Sequence, residues 1–279
     1  MFMALHIIIL AAGDGTRMKS RLPKVLHTVG GTPMISHVLR AAAALQPAGI
    51  HVVFNPDAPE VPEACAGIDV ACVPQKQRLG TGHAVQQAMP EIPAGSRVLV
   101  LYGDTPLVRA ETLESLLSGE EPLRVLTMTV PNPAGYGRIM RDRHGRIARI
   151  VEERDADEEQ RLVDEVNSGI FLVESDRLND WLGQLQTSNS QGEYYLTDIV
   201  EMAARENMPV GSVMAEHAWE LLGANDGVQL AKLERHYQRT ESERLLRAGA
   251  RVVDPARIDI RGNIEAATDV WIDINVVLE

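Results

Sequence analysis

Two cysteines are all that this chain of 279 residues carries. Cys65 and Cys72 make neither a metal-ligand spacing nor a disulfide framework, so they read as reduced structural thiols in a cytoplasmic protein. Positive charge is also scarce: 27 Lys and Arg against 39 Asp and Glu leave a formal net charge of -12. That balance excludes nonspecific binding to nucleic acid or to an anionic membrane. No apolar run reaches the roughly 18 residues a bilayer-spanning helix needs. The opening Met1 to His6 has no basic stretch and no cleavage site, so no secretion signal is expected.

What is there is ordinary for a globular protein, with 45% hydrophobic and 24% charged residues. One stretch stands out, from Ile7 to Lys24. β-Branched Ile7 to Ile9 suit a strand covered on both faces. Ala11, Ala12, Gly13 and Gly15 then strip away side-chain bulk, so backbone N–H groups can approach an anion closely. Arg17 and Lys24 add charge that amides lack, against an acidic background. Two phosphate-loop patterns are absent. The dinucleotide fingerprint needs a third glycine where Met18 stands, and Gly30 to His37 holds no ribose-binding acid. The Walker A pattern is missing as well.

Strands and helices alternate through the first half, which predicts an α/β fold with a mainly parallel sheet. The periodicity predicts a helix from Thr32-Pro33-Met34, with Thr32 as N-cap, and strands at His51–Phe54, Val70–Val73 and Arg97–Tyr102. Gln75 to His83 is a polar loop before a helix; it is either an anion cradle or an ordinary turn. Asp104 follows the strand ending at Tyr102, where ligands bind in open α/β sheets. It is either a Mg²⁺ ligand or a turn residue before a helix beginning at Pro106. Leu123–Val130 and Val166–Val173 read as strands, with a hairpin around Asp142 to Gly145 and Ser175 capping the next helix. Asn225-Asp226 opens a long helix with a stripe of Val228, Leu230, Leu233, Tyr237 and Leu245, closed by Gly249. Asn225 either caps it or leaves that role to Asp226. Ile258, Ile264, Val270 and Val276 then recur every six residues, the period of a parallel β-helix, and the pattern stops at Glu279.

Leu10-x-x-Gly13-x-Gly15-Thr16-Arg17-Met18 with Pro23-Lys24 resembles the signature of sugar-1-phosphate nucleotidyltransferases. Further matches follow in order: Gln75 with Gly80-Thr81-Gly82-His83, Tyr102-Gly103-Asp104, Gly135-Tyr136-Gly137-Arg138-Ile139, Glu152, Asn167-x-Gly169 and Gln191 to Asp198. Together they resemble the bacterial bifunctional family that joins an N-acetylglucosamine-1-phosphate uridyltransferase to a glucosamine-1-phosphate acetyltransferase. The resemblance implies a Rossmann-like uridyltransferase domain over residues 1–226, a linker helix over 227–250 and the start of a left-handed β-helix over 251–279. It implies transfer of uridylyl from UTP to N-acetylglucosamine-1-phosphate, with the acetyltransferase absent from this chain. The full-length family assembles as homotrimers through the β-helix.

The resemblance also implies roles. Leu10, Ala11, Ala12, Gly13, Lys24, Gln75, Gly80 and Thr81 bind the nucleotide, and an amide such as that of Gln75 suits the imide edge of uracil. Arg17 and Lys24 are catalytic. Tyr102, Gly103, Asp104, Gly137, Glu152, Asn167, Glu193, Tyr195 and Asn225 bind substrate, and Asp104 and Asn225 ligate Mg²⁺. The nearest rival is another sugar nucleotidyltransferase. A glycosyltransferase is further off, because Asp104-Thr105-Pro106 lacks the second acid of Asp-x-Asp.

Overall fold

In the computed structural model, which describes residues 3–279, a nine-stranded sheet organises the first three quarters of the chain. Met1 and Phe2, part of the predicted leaderless start, lie outside the described residues. The chain begins with β1 (Leu5–Ala11), the small hairpin β2 (Thr28–Val29) and β3 (Thr32–Pro33), and α1 (Met34–Ala44). Then come β4 (Gly49–Phe54), α2 (Glu60–Ala64), β5 (Ala71–Pro74), α3 (Thr81–Ala88), β6 (Arg97–Tyr102) and α4 (Ala110–Leu117). The second half supplies β7 (Leu123–Thr129), the hairpin β8 (Arg138–Arg141) and β9 (Ile147–Val151), α5 (Glu158–Arg161) and β10 (Glu165–Glu174). After them follow α6 (Ser175–Leu182), α7 (Asp198–Arg205) and β11 (Val210–Met214). The last quarter is α8 (Gly227–Arg247) and four short strands, β12 (Arg251–Val252), β13 (Ile258–Ile260), β14 (Trp271–Ile272) and β15 (Val276–Leu278).

The strand order is β11-β7-β10-β6-β1-β4-β5, with β8 joined to β10 and β9 to β8. β1 runs parallel to β4 and β6, β4 to β5, and β11 to β7. β10 reverses between β6 and β7, and β9 of the attached hairpin runs with it, so the sheet is mainly parallel, as expected. Alternation along β1 feeds two cores. Ile7 and Ile9 pack with Leu99, Leu101 and Ile35, while Ile8 and Leu10 pack with Val98, Val100 and Phe171. Ile7, Ile8 and Ile9 have no exposed area, and each is worth about 1.5–3 kcal/mol of transfer free energy. Leu10 lies opposite Tyr102, and the Gly103 N–H donates to the Leu10 carbonyl at 2.9 Å. The loops that leave β1 and β6 therefore emerge side by side.

Several local expectations are corrected. Thr32 does not cap α1; it pairs in the β2–β3 hairpin, and Pro33 takes the cap position because its fixed φ suits the extended entry. α4 begins at Ala110 rather than Pro106, since Val108 N–H closes a turn on Thr105 first. Ser175 does not cap α6: its hydroxyl accepts from Ser96 N–H at 3.0 Å and donates to the Pro93 carbonyl at 3.3 Å. Val228 is 67% exposed and leaves the stripe of α8, because two residues before Leu230 is about 200° around the helix.

α8 is capped by Asp226, whose side chain accepts from Gln229 N–H. It closes on a Schellman motif, with Gly249 N–H on Leu246 and Ala250 N–H on Leu245. Its buried Gln238 grips the tail: Oε1 accepts from Ile260 N–H at 2.6 Å, and Nε2 donates to the Ile260 carbonyl at 2.8 Å and to Glu234 at 2.7 Å. Glu234 in turn accepts from Gly30 N–H at 2.8 Å. The tail strands pair in parallel, Ile258 with Val276 and Arg251 with Trp271. The first register is three six-residue steps; the second holds two residues more. That excess corrects the six-residue pattern: Val270 is 39% exposed and Ile272, 6% exposed, packs inside.

Candidate functional site

Two cavities of about 270 and 260 Å³ adjoin beyond the ends of β1 and β6, and share Lys24, Thr81, Tyr102, Asp104 and Glu193. The first has Leu10, Ala11, Ala12 and Gly13 on one wall and Gln75, Gly80 and Thr81 on the other. The first wall is backbone because β1 ends in residues with almost no side chain. The second is the loop before α3, and it is zipped to a distant segment. Tyr194 N–H donates to Leu79 at 2.7 Å, Gly82 N–H to Tyr194 at 2.8 Å, and Leu196 N–H to the Thr81 hydroxyl at 3.0 Å. Gly80 must be glycine here: its φ is +112°, and a Cβ would lie 2.6 Å from the Tyr194 carbonyl oxygen. Gln75 is 3% exposed, with its amide nitrogen 3.0 Å from His83 Nδ1.

The second cavity gathers Gly137, Glu152, Asn167, Tyr195 and Asn225 around the shared wall. The ends of β8, β9 and β10 supply the first three. Thr197 donates its hydroxyl to Glu152 Oε1 at 2.9 Å, and Gln191 donates to the Tyr195 hydroxyl at 2.8 Å. Burial raises the Glu152 carboxyl, Thr197 works against that, and the charges of Asp198, Asp155 and Glu193 add to it. Burial likewise raises the Tyr102 phenol, so it stays protonated.

Asn225 is freed for the site because Asp226 caps α8. Its Oδ1 accepts from Arg17 at 2.9 Å and from Lys24 at 3.2 Å, and Lys24 also pairs with Asp104. Arg17 and Gly103 are on the wall of neither cavity: Arg17 reaches the site through Asn225, and Gly103 supports β1 from behind. Among the described residues no group of three or more His, Cys, Asp or Glu gathers as a metal site. Asp104 and Asn225 offer two hard oxygen donors that face one ammonium, a pair that a hard divalent cation such as Mg²⁺ would fit.

Sequence reasoning missed three features. Arg78 and Asp14 pair across the mouth of the first cavity, joining its two loops. Arg78 was findable as a further cation within the Gln75–His83 loop. Thr197 and Gln191 lay within a quoted motif, yet nothing local marks them as supports for Glu152 and Tyr195. Beyond Glu152 and Tyr195 lies a larger cavity of about 1090 Å³, lined in part by Asp155, Asp198 and Glu201. Burial, then Glu201 and Asp155, raises the Asp198 carboxyl to about 6.

The family described as the MobA-like NTP transferase domain matches residues 7–166. The bifunctional protein GlmU of Stutzerimonas stutzeri is 52% identical over 279 residues, 99% of this chain and 62% of that protein. The protein of the same name from Azotobacter vinelandii is 52% identical over 276 residues, 98% of this chain and 61% of its own length. The chain thus spans about three fifths of these curated relatives. Among solved structures, a chain described as a glucose-1-phosphate thymidylyltransferase from Bacillus anthracis superposes with a TM-score of 0.69 at 21% identity, covering 83% of this chain and 94% of its own. A nucleotidyl transferase from Methanothermobacter thermautotroptrophicus gives 0.60 at 18%, covering 85% of this chain and 99% of its own. At those identities the likeness is one of fold.

Proposed function

Because this chain belongs to the MobA-like NTP transferase family, we propose that it transfers the uridylyl group of UTP to N-acetylglucosamine-1-phosphate, giving UDP-N-acetylglucosamine and pyrophosphate. The observation that carries this is the pair of adjoining cavities with Lys24 and Asp104 on their common wall. A reaction between two phosphorylated substrates needs that arrangement: one pocket for each, and charge where the phosphates meet.

The backbone wall Leu10–Gly13 and the Gln75–Thr81 loop take the nucleotide. Gly137, Glu152, Asn167, Glu193, Tyr195 and Tyr102 take the amino sugar, with carboxylates and amides for its hydroxyl and N-acetyl groups. No protein base is required. The attacking sugar-phosphate oxygen is largely ionised near neutrality, with a second pKa of about 6. It attacks the α-phosphorus of UTP in line, the bond to the bridging oxygen breaks, and pyrophosphate leaves. The protein's work is positioning and charge neutralisation. Lys24 holds the phosphates, and Arg17, reaching in beside Asn225, stabilises the charge that develops. Asp104 and Asn225 would hold Mg²⁺, which would supply further neutralisation of phosphate charge.

The reading extends to the whole chain: a uridyltransferase domain at 1–226, the helix 227–250, and an opening turn of left-handed β-helix at 251–279. Parallel pairing of β13 with β15 at a six-residue multiple supports the last. No helix among the described residues is long and apolar enough to cross a membrane. A cytoplasmic enzyme with no nucleic-acid partner, assembling as trimers through the β-helix, completes the proposed reading.

The test is pyrophosphate release from UTP and N-acetylglucosamine-1-phosphate, with and without Mg²⁺. Release that needs all three is expected. Faster turnover with another nucleotide or sugar phosphate overturns the substrate assignment, and transfer from a nucleotide sugar overturns the reaction class.

A further inference from the structure

Arg138 is 2% exposed, and the reaction described above gives it no part. A buried guanidinium is expensive to desolvate, and an apolar side chain of the same volume often fills such a space at less cost. Arg138 opens β8, opposite Val151 of β9 and Val166 of β10. Its Nη1 donates to the Tyr136 carbonyl oxygen, and its Nη2 to Glu153 Oε2 at 2.7 Å. The same Glu153 oxygen accepts from Gly135 N–H at 3.2 Å. One guanidinium fork therefore joins the 135–137 loop to the residue that follows Glu152.

The joined parts are the wall of the sugar-side cavity. Gly137 is pressed so closely there that a Cβ would lie 2.8 Å from Ile150 Cγ2 and 3.4 Å from Glu152 Oε1. Its carbonyl accepts from Asn167 N–H at 2.8 Å. Gly137 thus packs on Glu152 and is tied to Asn167, and Arg138 joins the two segments that flank this contact, through the Tyr136 carbonyl and Glu153. An apolar side chain can fill the space; it cannot hold a carbonyl and a carboxylate from two segments in one planar fork. We infer that Arg138 is a positioning residue for the sugar phosphate: with Glu153 it clamps the 135–137 loop to the strand end bearing Glu152 and sets the width of that cavity. The inference rests on the sugar-phosphate reading of the cavity and adds the device that holds it open to size.

Arg138→Met and Glu153→Gln test it in the pyrophosphate assay, with each substrate varied in turn. KM for the sugar phosphate should rise about tenfold in both, with KM for UTP held within about twofold, because ångström-scale misplacement costs up to roughly 10²-fold at the misplaced substrate only. The double variant should match the singles rather than multiply them, because both remove one clamp. Arg138→Lys, which reaches one acceptor at a time, should fall between wild type and Arg138→Met. Equal rises in the two KM values, or none, overturn the clamp. Melting curves accompany each variant, and if Arg138→Met does not fold, Glu153→Gln, at a side chain 33% exposed, carries the same split. Wild-type turnover judges the parent reading separately. Activity on a different sugar phosphate refutes the choice of sugar while the split is read with that compound; no turnover with any sugar phosphate refutes both.

Discussion

Lys24 and Asn225 stand 201 residues apart in the chain, and Nζ of the first donates to Oδ1 of the second at 3.2 Å. Arg17 donates to the same oxygen at 2.9 Å. One amide at the mouth of α8 thus gathers the two cations of the first loop beside Asp104. The geometry yields four expectations.

Arg17→Ala should lower kcat by on the order of 10²–10³, the loss seen when one donor to transition-state charge is removed. KM for each substrate should change far less, since Arg17 lines neither cavity. Steady-state kinetics checks this; wild-type turnover in the variant removes Arg17 from catalysis.

Asp104→Ala should abolish Mg²⁺-dependent turnover. It deletes one of the two oxygen donors and leaves Lys24 with Asn225 alone. A Mg²⁺ titration of activity that is unchanged from wild type would exclude Asp104 as a ligand.

Asp198→Asn should stabilise the fold near pH 7.5 and do little near pH 3.5. The folded carboxyl titrates at about 6 against an ordinary value of 3.8, so between those values the folded state holds a proton that the unfolded state has released. Stability therefore falls as pH rises through that window, and above it the ionised group is a cost the amide avoids. Tm measured across pH is the check. A variant that melts below wild type at pH 7.5 contradicts the sign.

Gln238→Leu should loosen the tail. Both the N–H and the carbonyl of Ile260 lose their partner, at about 1–3 kcal/mol for each buried group left unsatisfied. Hydrogen exchange at residues 258–262 should quicken while β1 and β6 stay protected. Unchanged protection at Ile260 would assign the tail's order to its strand pairing alone.

The strands were legible because their chemistry is local. Ile7–Ile9 and Arg97–Tyr102 are apolar runs, and they fold where the runs lie. Helix starts were less legible, because a cap-like residue can be claimed elsewhere: Thr32 by a hairpin, Ser175 by Ser96 and Pro93. The expected site residues come together around two cavities, save Arg17, which reaches the second through Asn225, and Gly103, which supports the end of β1. What no local pattern carries is the support. Thr197 on Glu152, Arg78 on Asp14 and Arg138 on Glu153 each join residues that only the folded chain brings together.

α8 begins two residues after Asn225, past its cap Asp226, and holds Ile260 through Gln238. Adding one residue between them would turn Gln238 by about 100° and advance it by about 1.5 Å relative to Asn225. Either the tail would lose its grip or the amide would swing away from Arg17 and Lys24. The span from Asn225 to Gln238 is therefore a gauge, correct at one residue count. Chimeras that exchange the tail should keep the residue count from Asn225 to Gln238, whatever they change beyond it.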